Sequence, residues 1–213
     1  MSDNRRIEGD GEMKEYPKIN SIYKRDDRGR FTTEYSCPEF GFLANNDWLY
    51  TEKIDGTNIR IGFEGKRLII GGRTDRAQIP AFLYDFLSEK FSSFANEETV
   101  LYGEGYGKKI QQGERYIPDG VGFILFDVCV GKWWLQRPDI EDVGKQFGVP
   151  VVPIVGSGSL SGAVRRCQIG FDSAIAKCEA EGIVLRPKVE LFARNGERII
   201  TKVKLCDFRE GRR

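Results

Sequence analysis

The residues in this chain best placed to do chemistry are lysines and carboxylates set among apolar neighbours. Lys53 closes the apolar stretch WLYTEK and stands two residues before an Asp-Gly turn in EKIDGTN, residues 52–58. A lysine amine is a nucleophile only when neutral, and its free pKa is about 10.4. Bringing that value to about 7–8 corresponds to roughly 3–4 kcal/mol of selective destabilisation of the ammonium form. Burial and neighbouring cations supply it. Lys202 and Lys204 alternate in TKVKL, so on a strand both point to one face and are candidates for those cations. The glycine of the Asp-Gly turn would let a phosphate approach closely. Glu104 in LYGEGYG and Glu181 in EGIVL carry carboxylates into apolar settings. A buried carboxylate is costly unless it is paired or binds something. The plain alternative for either is an ion pair with an arginine such as Arg73.

The overall composition narrows the chemistry further. The chain has 213 residues and no histidine. That removes histidine general acid–base catalysis, Ser-His triads and histidine metal sites. Any metal must be held by oxygen ligands, which suits Mg²⁺ or Mn²⁺. The five cysteines form no CxxC pair, and Cys129 and Cys206 sit in apolar runs. They read as reduced packing residues of a cytoplasmic protein. No signal peptide, lipidation motif or long apolar run points to a membrane. With 33 basic and 32 acidic residues the formal charge is +1, so the chain lacks the general basic excess of a phosphate-tracking protein. Local basic faces remain open at residues 24–30 (KRDDRGR), at Lys108–Lys109 and at residues 209–213.

Short strands must position these groups. The pattern predicts strands at 48–53, 58–64 and 67–71, the last two joined by a hairpin turn through Phe63-Glu64-Gly65-Lys66. Buried strands follow at 100–106 and 122–130, and further ones at 149–155, 183–186 and 198–205. Helices are expected over 81–94, with Phe82, Phe86, Leu87, Phe91 and Phe94 on one face, and over 138–147 and 171–180. The 156–162 stretch GSGSLSG reads as a flexible connection. Residues 1–13 read as a mobile tail, 14–208 as one folded domain, and 209–213 as a basic tail. Strands dominate without a βαβ rhythm, so the fold class is α+β with largely antiparallel sheets flanked by helices.

Five strings in fixed order resemble motifs I, III, IIIa, IV and V of the covalent nucleotidyltransferases, the superfamily of polynucleotide ligases and RNA capping enzymes. They are EKIDGTN, TVLYGEGYG (99–107), FILFDV (123–128), EGIVLRP (181–187) and TKVKL (201–205). The resemblance implies an ATP-grasp-like nucleotidyltransferase domain in which Lys53 attacks the α-phosphate of a nucleotide. Lys202 and Lys204 would neutralise that phosphate, Glu104 would meet the ribose and set the polarity of the site, and Glu181 would hold the divalent metal. Phe126 matches the aromatic that stacks on the purine, with ordinary core packing as its alternative.

A finer match is to the type 2 RNA ligases, the phage and editing-type enzymes that seal structured RNA. EKIDGTN resembles their Glu-Lys-x-x-Gly-Thr-Asn. Arg73 in GGRTD lies twenty residues after the lysine, as in their Ia arginine segment, and YGEGYGKKIQQGERY resembles their Gly-Glu-x-x-Gly followed by Ile-Gln-x-Gly. By this resemblance Asn58 and Arg73 would serve ligation after adenylylation, and Glu52 would flank the adenine pocket, largely through its backbone; a mere surface charge is the alternative for Arg73 and for Glu52. The resemblance implies ATP, Mg²⁺ or Mn²⁺, and RNA ends or a nicked duplex, with RNA favoured over DNA.

Two features depart from the pattern. Asp55 occupies a position that is often not acidic in type 2 enzymes. The sequence also ends nine residues after Lys204, with neither an OB-fold nor the type 2 C-terminal helical domain. Either the core suffices, a protein partner supplies the rest, or the chain is truncated. The alternatives are a DNA nick ligase, an mRNA guanylyltransferase core, and a non-catalytic nucleic-acid-binding relative.

Overall fold

A computed structural model describes residues 13–209. The expected N-terminal tail, Met13 apart, and the expected basic tail, Arg209 apart, lie outside the described residues. The chain opens with β1 (Asn20–Ser21), the hairpin of β2 (Tyr23–Arg25) and β3 (Phe31–Tyr35), and α1 (Pro38–Phe42). Then come β4 (Trp48–Lys53), β5 (Thr57–Glu64), β6 (Arg67–Gly72), α2 (Ala81–Lys90), β7 (Thr99–Gly107), β8 (Val121–Val130) and β9 (Trp133–Trp134). The order ends with α3 (Arg137–Phe147), β10 (Ile154–Gly158), α4 (Leu160–Ile169), β11 (Gly182–Pro187) and β12 (Thr201–Lys204).

Two five-stranded sheets carry the fold, in the orders β1-β12-β11-β4-β10 and β6-β5-β7-β8-β9. Within them only the short β1–β12 pair is parallel. The architecture is therefore α+β with largely antiparallel sheets, as expected. One core buries Trp48, Ile183, Leu185 and Val203 of the first sheet against Leu160, Ala163 and Val164 of α4. A second buries Ile59, Ile61, Leu101 and Leu125 against Leu83 and Leu87 of α2 and Ile140 of α3. A smaller cluster joins the sheets where Ile54, just past β4, meets Ile124 and Val152. Between β5 and β6, Gly65 and Lys66 both take positive φ, 53° and 65°, in a two-residue loop of the kind that matches strand twist.

Several expectations are corrected. Residues 171–180 are not helical; they form bends closed by a bridge between Asp172 and Glu179. The helix lies just upstream, where Ser159 Oγ accepts from Gly162 N–H at 3.2 Å and caps α4, and Gly170 ends it. Part of GSGSLSG is thus strand and cap rather than a flexible connection. Gly158 permits it, with φ 143° and a backbone so near Tyr50 that a Cβ would lie 3.0 Å from the hydroxyl. Residues 149–153 are mostly irregular, with β10 starting only at Ile154. In α2 the buried face is Leu83 and Leu87, whereas Phe82 is exposed, and Phe91 and Phe94 are buried beyond the helix end. All five cysteines are free, but Cys206 is exposed rather than packed. Among the described residues no helix is long and apolar enough to cross a membrane.

Candidate functional site

The register of the first sheet explains how its charged groups meet. Gly182 of β11 pairs with Lys53 of β4 on one side and with Lys204 of β12 on the other. Glu181, one residue earlier, therefore sits between both lysines. Its Oε2 accepts from Lys53 Nζ at 2.7 Å and its Oε1 from Lys204 Nζ at 2.6 Å. The second sheet faces this edge with a matching set. Asn58 of β5 pairs directly with Glu104 of β7. In β8 the ladder slips so that Tyr102 faces Asp127 and Gly103 faces Leu125, leaving Phe126 as the extra residue of a bulge. A bulge re-aims a side chain, and here Phe126 is half-buried between buried neighbours and lines a cavity.

That cavity, about 360 Å³, is lined by Glu52, Lys53, Asn58, Arg73, Glu104, Phe126 and Lys202, with Ile54, Val152 and Val184 as apolar wall. Its size suits a small-molecule site. Of the residues singled out in the sequence, Glu181 and Lys204 do not line it but reach it through Lys53. The alternative of an arginine partner holds for neither acid: Glu181 pairs with lysines, and Glu104 has no ion pair among the described residues. Arg73 is exposed and likewise unpaired.

The site holds polar atoms that lack partners. Glu52 Oε2 accepts from Ala174 N–H at 2.8 Å, but Oε1 is buried with no partner, and so is Asn58 Oδ1. Unsatisfied buried acceptors are rare and point to a missing donor. The Glu52 side chain, not its backbone alone, is thus available to a ligand. Burial pushes the Glu104 carboxyl up to about 8, with Glu181 and Asp55 adding to the shift and Lys53 and Lys204 opposing it. Burial, then Lys53 and Lys204, lowers Lys202. Lys204 moves upward because the charge and hydrogen bond of Glu181 outweigh burial.

Some groups were not legible as site residues. Asp55 was only a departure from a pattern, yet its half-buried carboxyl is raised by burial and by Glu181, and Arg115 lies 3.8 Å away. Gly56 is required by packing: a Cβ there would lie 2.3 Å from the Gly105 carbonyl oxygen. Arg60, buried in β5, donates to the carbonyls of Gly72 and Met13 and to Asp75, each at 2.6 Å, and so fixes the loop bearing Arg73. Its signal was a lone arginine between two core isoleucines. Next to Phe126 in β8, Asp127 accepts from Arg186, Arg198 and Tyr16.

Comparison with known proteins gives the family and the fold. A sequence model of the RNA ligase family matches residues 46–204. No curated protein matches by sequence. Among solved structures, a variant of the Naegleria gruberi RNA ligase with ATP and Mn has 19% identity and a TM-score of 0.59, over 89% of this chain and 61% of that one. A second variant with ATP and Mn has 16% identity and a TM-score of 0.61, over 89% and 59%. The same ligase with PPi has 18% identity and a TM-score of 0.59, over 89% and 61%. The chain thus spans about three fifths of the length of these proteins and shares their fold. With the family match extending over 46–204 of 213 residues, the chain belongs to the RNA ligase family.

Proposed function

We propose that this protein is an ATP-dependent RNA ligase that works through a lysyl-AMP on Lys53. One observation carries the reading: Lys53 stands at the edge of a cavity with orphaned acceptors, held by a carboxylate shared with a second lysine. Family membership and the Naegleria ligase structures with ATP, AMP and PPi support it.

In the proposed first step Lys53 Nζ leaves Glu181, gives its proton to solvent and attacks the α-phosphorus of ATP. The P–N bond forms as the bond to pyrophosphate breaks. Lys202 and Lys204 face the charge that builds on the phosphates. Phe126 stacks on the adenine, and the orphaned Glu52 Oε1 accepts a hydrogen bond from its amino group. Glu104, whose carboxyl burial shifts toward its protonated form, can donate to a ribose oxygen as well as accept. An oxygen of an RNA 5′-phosphate then attacks the same phosphorus and returns the lysine. Finally a 3′-hydroxyl attacks the 5′-phosphate and displaces AMP, with Asn58 and Arg73 positioning the ends.

The donor set fits a hard divalent cation, but no three acidic or thiol groups among the described residues lie close enough to hold one alone. Mg²⁺ characteristically binds one or two carboxylates and shares the rest of its shell with water and substrate phosphates. Glu181 would hold it, with Asp55 and Glu104 as neighbouring acids. Such an ion supplies positive charge at the reacting phosphate. Glu181 would then exchange its lysine partner for the metal.

Sealing assays test the reading. With ATP and Mg²⁺ or Mn²⁺, the protein should join a 5′-phosphate to a 3′-hydroxyl in nicked RNA faster than in nicked DNA. Labelling by GTP with transfer to a 5′-diphosphate RNA end would replace the reading with capping.

A further inference from the structure

A segment before the family-matched region forms one wall of the cavity. Tyr16, Pro17, Lys18 and Ile19 all line it. The segment is pinned along its length. Arg60 donates to the Met13 carbonyl at 2.6 Å and Tyr102 donates to the Lys14 carbonyl at 2.9 Å. Tyr16 is buried, donates to Asp127 at 2.7 Å and packs its ring 5.0 Å from that of Phe126. Pro17 fixes its own φ and holds Tyr16 extended. Beyond it, β1 pairs with β12 so that Ser21 stands beside Lys202. Lys18 lies between these anchors, so its backbone position is set.

The charge balance of the cavity is uneven. Lys53 is matched by Glu181, and Arg186 is matched by Asp127. Lys18, Arg73 and Lys202 have no carboxylate within ion-pair distance among the described residues. Of the two carboxylates in the wall, Glu52 accepts from the Ala174 amide and Glu104 has no ion pair among the described residues, so neither matches these cations. Lys202 feels the crowding, lowered first by burial, then by Lys53 and Lys204, and in part by Lys18. Three unmatched cations around one cavity call for an anion.

We propose that Lys18, on this N-terminal strap, is a phosphate-binding residue that joins Lys202 and Arg73 in receiving one anionic group. The proposal rests on the ligase reading for its two possible sources, the pyrophosphate end of the nucleotide and the 5′-phosphate of the RNA. Lys18 is exposed at the rim, so substitution there leaves the fold intact.

Lys18→Ala and Lys18→Arg in the full chain test it through three readouts. These are titration with inorganic pyrophosphate, the ATP dependence of self-adenylylation, and sealing of pre-adenylylated RNA ends. Removal of one charged contact at the rim should weaken the relevant step about tenfold, in KM or Kd with kcat little changed, and Lys18→Arg should restore most of it. Weaker pyrophosphate binding and a raised KM for ATP, with normal sealing, assign the nucleotide. A raised KM for RNA alone assigns the 5′-phosphate. Wild-type lysyl-AMP formation with all three readouts unchanged in Lys18→Ala overturns the proposal and leaves the ligase reading standing. No adduct in the wild type, with pyrophosphate binding still lost in Lys18→Ala, overturns the ligase reading and leaves the phosphate site. No adduct and unchanged pyrophosphate binding overturns both.

Discussion

Two charge clusters lie close to Phe126, and they are built differently. In one, Asp127, the next residue of β8, is fully buried and accepts from Tyr16, Arg186 and Arg198, while Glu190 takes further bonds from Arg198 and Trp134 lies under its guanidinium. Nearly every donor has an acceptor; the exception, Arg186 Nε, belongs to the residue that also borders the cavity. In the other, Lys53, Glu181 and Lys204 are 20%, 10% and 34% exposed, and around them stand unmatched cations and orphaned acceptors. Saturation marks the first cluster as scaffold. Incompleteness in the second is what the proposed function requires of a site whose missing partners arrive with a ligand.

Substitutions can break this contrast. Lys53→Ala should abolish covalent labelling by ATP, with a thermal midpoint close to wild type; retained labelling would refute its role. Glu181→Gln should cut self-adenylylation about 10²–10³-fold, the usual cost of removing one preorganised electrostatic group. Its stability should change by less than about 1 kcal/mol, because the pairs are partly solvated; urea melts check this. Asp127→Ala should do the reverse in kind, costing about 3–5 kcal/mol of stability by stranding the buried Arg186 guanidinium and leaving Arg198 with Glu190 alone. A stable but inactive Asp127→Ala protein would erase the distinction. Phe126→Leu should raise the KM for ATP roughly tenfold, since stacking of a base on a ring is worth about 1–3 kcal/mol. An unchanged KM with a lower melting temperature would return Phe126 to the core.

The burial of Glu104 predicts a pH dependence of stability. Glu104 in the folded protein sits near 8 against an ordinary 4.5. A raised folded pKa means that the folded state holds the proton more tightly. Its stability contribution is therefore complete below about 4.5 and is lost as the pH rises through about 8. Glu104→Gln should remove that slope, so wild type loses stability relative to it between pH 5 and pH 9. Parallel melting curves across that range would contradict the burial argument.

The two clusters were also unequally legible in the sequence. Lys53, Glu104, Glu181 and Lys202 stand in short strings whose spacing is set by strand registry, so local sequence carried them. Asp127 and Arg186 lay inside the same strings, but their partnership with Tyr16 and Arg198 spans 111 and 71 residues. No local period announces such a contact. The helix at Leu160–Ile169 was misread because glycines suggested a loop, although Ser159 and Gly170 bracket it as cap and stop. The apolar spacing of 171–180 resembled a helix, but those residues cover Glu52 through the Ala174 amide instead. Tertiary demand overrode local pattern there.

The central claim is that the unsaturated cluster forms a covalent bond to AMP at Lys53. Incubation with ATP and Mg²⁺ or Mn²⁺, followed by intact mass and peptide mapping, tests it directly. The account predicts an acid-labile AMP adduct on the peptide that contains Lys53, absent from Lys53→Ala. A folded protein that gains no adduct, or carries it on another residue, would contradict it.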